Sequence, residues 1–172
     1  MENKKLEDIP ARMSVFVDTN ILIYHLLEDE LYGESCKKFL KRVEEKDVKA
    51  FISPVVISET LFLYLRFWVI KEKNIIPKKI LEYPKQSRDL IKEVNFQKPQ
   101  KLIFLFKLLP VGSGVLKTSY KMIKIHNLLP NDAINIALVN RHKIPAIATL
   151  DDDFDDIEGI EVFKPSFLRG AQ

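Results

Sequence analysis

Three short apolar runs constrain this chain more than anything else in it. Each stops at a polar residue and gives way to a segment with helical character. Ser14-Val-Phe-Val17 ends in Asp18-Thr-Asn20, and Ile21–Leu27 continues as a helix. Lys49-Ala-Phe-Ile-Ser53 is followed by Pro54, a residue suited to the first turn of a helix, with Ser53 as the N-cap. Ile144-Pro-Ala-Ile-Ala148 ends in Thr149-Leu-Asp151. Runs this short and apolar read as buried strands, and strands alternating with helices imply a parallel sheet covered on both faces.

The segments between them fit that plan. Cys36, Phe39, Leu40 and Val43 form one stripe of a helix over Gly33–Lys46. Pro54 to Lys71 is apolar nearly all round, which predicts a well-buried helix. Pro77 to Leu109 reads as short helical segments punctuated by Pro84, Pro99 and Pro110. Two further helices are expected, over Val115–His126 and Pro130–Arg141, with a short final strand at Glu161–Phe163. With no internal repeat or linker, residues 1–172 are expected to form a single domain, large enough to bury a core without disulfides.

Composition narrows the class. A single cysteine, Cys36, excludes a disulfide scaffold and any cysteine-based metal cluster. Met1 to Arg12 is mostly charged, so no signal peptide is expected. The longest apolar stretch, Pro54–Ile70, is interrupted by Glu59 and Arg66 and is too short to cross a bilayer. A soluble cytoplasmic protein with no membrane association is the expectation. Charge is unevenly placed: Arg66 to Lys124 holds 14 Lys/Arg against 4 Asp/Glu. A basic face of this kind suits phosphates, although a solvated lysine-rich surface would look the same.

Chemistry concentrates on the acids. In open α/β sheets, ligands bind beyond the carboxyl ends of the strands. Asp18 and Asp151 follow two such ends, Asp132 opens a helix, and Glu59 lies within the apolar helix after Pro54. Asp18 could merely cap its helix, Asp132 could complement a helix dipole, and Glu59 could pair with Arg66. In the run Asp151-Asp-Asp-Phe-Asp-Asp156, any one acid could be a cap and the rest solvated. A calcium loop is excluded, because its sixth and twelfth positions would be Asp156 and Val162. His25, His126 and His142 lack ligand spacing, and no Gly-x-Gly-x-x-Gly, Walker A or Gly-x-Ser-x-Gly pattern is present. Converging carboxylates need a cation, and an all-oxygen set selects Mg²⁺ or Mn²⁺. Metal-assisted phosphodiester hydrolysis is the chemistry left standing.

The residues carrying these acids also resemble a known family. Val17-Asp-Thr-Asn-Ile-Leu-Ile23 resembles the opening motif of PIN-domain nucleases, and Ser53-Pro-Val-Val-Ile-Ser-Glu59 the second acidic motif. Leu129-Pro-Asn-Asp-Ala133 and Ala148-Thr-Leu-Asp-Asp-Asp-Phe154 resemble the third and fourth. The resemblance implies a three-layer α/β/α sandwich with a central parallel sheet of about five strands. It also implies a Mg²⁺- or Mn²⁺-dependent endoribonuclease with Asp18, Glu59, Asp132 and Asp151 as catalytic and metal-binding acids. Asn20 and Thr149 match polar positions that orient acids or water in the family. Many compact members are VapC-type toxins, which implies an RNA substrate, an antitoxin partner and a homodimer. Arg66 to Pro110 is longer and more basic than in the smallest toxins, and reads as an added basic helical segment within the domain. The fourth motif offers both Asp151 and Asp153; strand proximity favours Asp151.

Three alternatives compete with a toxin nuclease. One is an RNA-processing nuclease of the same family. Another is a non-catalytic RNA- or protein-binding module with the same fold, against which the full set of four acids argues. The third is an aspartyl-nucleophile phosphatase, which would want a second acid where Asn20 stands.

Overall fold

The computed structural model describes residues 4–73 and 87–167. Six parallel strands form one sheet: β1 (Lys4–Lys5), β2 (Ser14–Val17), β3 (Lys49–Ile52), β4 (Lys107–Leu108), β5 (Ala146–Ala148) and β6 (Glu161–Lys164), in the order β1-β6-β5-β2-β3-β4. Successive side chains of a strand face opposite sides of its sheet. Val15, Phe16 and Val17 are all buried, as are Ala146, Ile147 and Ala148, so helices cover both faces at the centre. The three-layer parallel architecture stands, with one strand more than expected.

The helices are α1 (Thr19–Leu26), α2 (Gly33–Glu44), α3 (Pro54–Lys73), α4 (Ser87–Glu93), α5 (Gln97–Ile103), α6 (Ser113–His126) and α7 (Pro130–Arg141). A short 3-10 turn, Leu6–Asp8, follows β1, and a second, Asp152–Phe154, follows β5. Ser53 caps α3 as its sequence predicts: its hydroxyl accepts from the Val56 amide at 3.1 Å and donates to Asn135 Oδ1 at 2.7 Å. That second bond ties the start of α3 to the middle of α7. Pro99 does not break a helix; it sits in the first turn of α5, where its missing N–H costs nothing. Pro77, Pro84 and the segment around them lie outside the described residues.

One expectation fails in an informative way. Helix α3 is apolar nearly all round, yet only part of it is covered. Val56, Thr60 and Val69 are buried, while Phe62 and Phe67 are 44% and 38% exposed. Packing against α1, α5 and α7 covers one side of the helix and leaves these rings at the surface. No helix among the described residues is long and apolar enough to cross a membrane.

The topology fixes where a ligand belongs. From β2 the chain moves outward to β3 and β4, then returns to place β5 on the other side of β2. The crevice beyond the ends of β2 and β5 is therefore the switch point of the sheet.

Candidate active site

Register decides which residues meet in that crevice. Val17 pairs with Ala148, so the next residues, Asp18 and Thr149, stand side by side beyond the last rung. The ladder continues for one more bond, from the Asp18 amide to the Ala148 carbonyl at 3.0 Å. Thr149 is held from the opposite side, its amide donating to the Phe163 carbonyl at 3.0 Å.

Asp18 is buried, and its carboxylate is fully engaged. Oδ1 accepts from the Thr19 amide at 2.7 Å, which makes Asp18 the N-cap of α1. Oδ2 accepts from the Thr149 hydroxyl at 2.7 Å and from Asn20 Nδ2 at 2.8 Å. Asn20 also reaches Thr149 Oγ1 at 3.0 Å, and its own Oδ1 accepts from the Leu150 amide at 3.3 Å. The cap role and the strand-end role coincide in one residue. Burial pushes the Asp18 carboxyl up to about 6, the hydrogen bonds from Thr149 and Thr19 oppose the rise, and the charges of Glu59 and Asp151 add to it.

Three more acids face the same cleft of about 470 Å³: Glu59 from α3, Asp132 from α7 and Asp151 beyond β5. Glu59 is half-buried and its partners differ from the sequence expectation. Arg66 is exposed, and Glu59 instead accepts from the Thr19 hydroxyl at 2.8 Å and from Asn131 Nδ2 at 2.5 Å. Asp132 is the most strongly perturbed. Partial burial, then the charges of Asp18, Asp151, Glu59 and Asp153, raise its carboxyl to about 7. Asp151 caps the 3-10 turn through a 2.9 Å bond from the Asp153 amide, and its own amide donates to Thr149 Oγ1 at 3.0 Å. Asp153 is exposed on that turn and reaches Asp132 only through its charge.

Sequence reasoning missed two supporting groups, Thr19 and Asn131. Both adjoin a singled-out acid, inside the motifs Val17-Asp-Thr-Asn20 and Pro130-Asn-Asp132. It also missed how the acidic run is divided. Lys164, 7% exposed at the end of β6, pairs with Asp152 and with Asp155, the latter at 2.7 Å. Phe154 is buried between them in sequence and anchors the turn. Asp152 and Asp155 are thus engaged by a cation and are not simply solvated.

The donor set is all oxygen, which suits Mg²⁺ or Mn²⁺. Among the described residues, no three His, Cys, Asp or Glu side chains are grouped closely enough to cage an ion. An open site fits this arrangement. Mg²⁺ commonly takes one or two carboxylates, keeps several waters and shares the rest with substrate phosphates. Among the described residues, the cleft lining contains four carboxylates and no Lys or Arg, so no described side chain in the lining neutralises them.

A family model for the PIN domain matches residues 15–160. The chain is 35% identical to Ribonuclease VapC2 of Methanocaldococcus jannaschii over 150 residues, covering 87% of this chain and 93% of that protein. It is 30% identical to Ribonuclease VapC6 of the same organism over 153 residues, covering 88% and 97%. Among solved structures, VapBC2 from Rickettsia felis, bound to a DNA fragment from its promoter, matches with a TM-score of 0.56 at 14% identity. That match covers 90% of this chain and all of the other. At that identity the likeness speaks for the fold, and the sequence matches speak for kinship. The chain belongs to the PIN-domain family.

Proposed function

We propose that this protein is a Mg²⁺- or Mn²⁺-dependent endoribonuclease acting through Asp18, Glu59, Asp132 and Asp151. One arrangement carries the reading. At the switch point of the sheet, a buried aspartate with every carboxylate oxygen engaged faces three further acids across a cleft that, among the described residues, is lined by no cationic side chain. A purely structural cluster would be expected to bring its own positive charge. The four acids would hold the ion. Asn20 and Thr149 fix the orientation of Asp18, while Thr19 and Asn131 fix that of Glu59. When bound, the cation supplies charge neutralisation for the phosphodiester and acidifies the attacking water.

RNA is the substrate favoured by kinship with proteins named ribonuclease VapC. The same kinship supports a toxin role with an antitoxin as protein partner, and the proposal extends to a homodimer acting in the cytoplasm. Labelled RNA incubated with purified protein in Mn²⁺, Mg²⁺ or EDTA tests the chemistry. Cleavage is expected with either ion, none in EDTA, and none with Asp18→Asn. Cleavage that persists in EDTA, or in Asp18→Asn, would overturn the mechanism.

A further inference from the structure

Helix α6 carries an exposed basic face that the proposed site does not use. Lys117, Tyr120, Lys121 and Lys124 follow a 3–4 residue spacing, which places all four on one side of the helix. All four are exposed, Tyr120 by 69%. The opposite side, with Val115 and Ser119, is buried and packs on α7. Helix α6 contains no acidic residue. Some lysines elsewhere are neutralised, Lys98 by Glu28, Lys4 by Glu161 and Lys164 by Asp152 and Asp155, but none of these lies in a row on one helix face. Among the described residues, the three α6 lysines have no ion-pair partner. Lys124 lies in the last turn, where a cation complements the helix dipole. Lys117 and Lys121 lie too far back for that explanation.

Direction matters as much as charge. A three-residue connection, 127–129, links the end of α6 to Pro130, the first residue of α7. From the end of α6 to Pro130 is four Cα steps, at most roughly 14 Å. Asp132, at the cleft, is in the first turn of α7, so the Lys124 end of the row lies nearest the acids. The other end of α6 points away: a Cβ on Gly114 would come within 3.2 Å of Arg141 Nη1, at the far end of α7. A row of cations about 10 Å long, interleaved with one exposed aromatic ring, therefore leads toward the carboxylate cleft.

We propose that this face of α6 is a track on which single-stranded RNA lies as it enters the cleft, the lysines meeting phosphates and Tyr120 stacking on a base. This rests on the ribonuclease reading for its ligand. Charge favours RNA over a second copy of this chain, since two such faces would repel. Single strands offer the unpaired bases that an isolated tyrosine can stack on.

The test measures binding without cleavage, in EDTA, by fluorescence anisotropy of a labelled single-stranded RNA across a salt series. For the combined Lys117→Gln, Lys121→Gln, Lys124→Gln variant, the log–log salt slope should become shallower by about 2, at roughly 0.7 per lost phosphate contact. Tyr120→Ala should weaken binding by about 10-fold with the slope unchanged. Thermal melts should match wild type, because these side chains are exposed. A wild-type slope and affinity in the triple variant would overturn the proposal, as would failure of wild type to bind. So would variants that change the oligomeric state while leaving RNA affinity alone, which would make the face a protein contact. Cleavage in Mn²⁺, scored separately, reports on the ribonuclease reading: absent cleavage with intact, lysine-dependent binding would sink that reading and leave the track.

Discussion

Two acidic clusters stand at the same end of the sheet and are handled in opposite ways. Beyond β6, Asp152 and Asp155 close on Lys164, whose side chain is nearly buried. Beyond β2 and β5, Asp18, Glu59, Asp132 and Asp151 share a cleft whose described lining offers hydroxyls and amides but no Lys or Arg. The first cluster carries its own counter-charge, one lysine shared by two carboxylates. The second is held in place by neutral donors, which orient carboxylates without cancelling their charge. Burial raises the carboxyls of Asp18 and Asp132 most, and the neighbouring acids of the cleft push both up further. A cluster left uncompensated in this way is suited to an ion and substrate arriving from outside.

The sharpest way to probe the boundary between the clusters is the fourth acid. Asp151 lines the cleft, whereas Asp153 is exposed one turn on and touches Asp132 only at a distance. Asp151→Asn should abolish cleavage. Asp153→Asn should lower it by about 10–100-fold or less, as for a group acting on a site from outside it. Rates of RNA cleavage at saturating Mn²⁺ decide the matter. The reverse order would mean that the turn carries the chain one step further before it meets the ion.

A second probe acts on the open cluster alone and uses pH. Asp18 and Asp132 have folded values of about 6 and about 7 against 3.8 for the free side chain. Between about pH 4 and 7 the folded state therefore holds more protons than the unfolded one. Stability in metal-free buffer should fall as pH rises through that window, by roughly 1–3 kcal/mol. Most of this comes from buried Asp18, since half-exposed Asp132 is screened by solvent. Urea unfolding at pH 5 and pH 7.5 measures it. Asp18→Asn should flatten the dependence, and so should saturating Mn²⁺, which binds the folded state. A profile that rises with pH in metal-free buffer would mean that the cleft acids are compensated after all.

The open cluster was far more legible in the sequence than the closed one, for a physical reason. Asp18 and Asp151 follow apolar runs with strand character, and the approach of strand ends in a parallel sheet is a general rule. Lys164 gives no such signal, because a lysine after Val162 and Phe163 looks like the edge of a strand meeting solvent. Its pairing depends on two acids nine and twelve residues upstream. Strands β1 and β4, Lys4–Lys5 and Lys107–Leu108, were equally invisible. They are two residues long and exposed, and exist only because β6 and β3 offer backbone partners. The fate of α3 was misjudged for a related reason. An apolar helix is buried only where neighbours reach it, and periodicity says nothing about how many do.

The mildest test bears on the closed cluster. If Asp155 serves Lys164 and nothing else, Asp155→Asn should cost stability and leave cleavage within about 3-fold of wild type. Its side chain is 37% exposed and that of Asp152 is 88% exposed, so Asp155 should be the more valuable partner. Exposed pairs are worth about 0–1 kcal/mol and breaking a buried one costs more, so a loss of roughly 1 kcal/mol is expected. Asp152→Asn should cost less than that. Removing Lys164 as Met should cost at least as much as either, and a double-mutant cycle with Asp155 should recover most of the coupling. Urea midpoints give the stabilities, and Mn²⁺-dependent rates give the activities. A drop in cleavage at Asp155→Asn with stability unchanged would merge the two clusters into one electrostatic unit. The assignment of Asp151 and Asp153 to the cleft and of Asp152 and Asp155 to Lys164 would then be wrong.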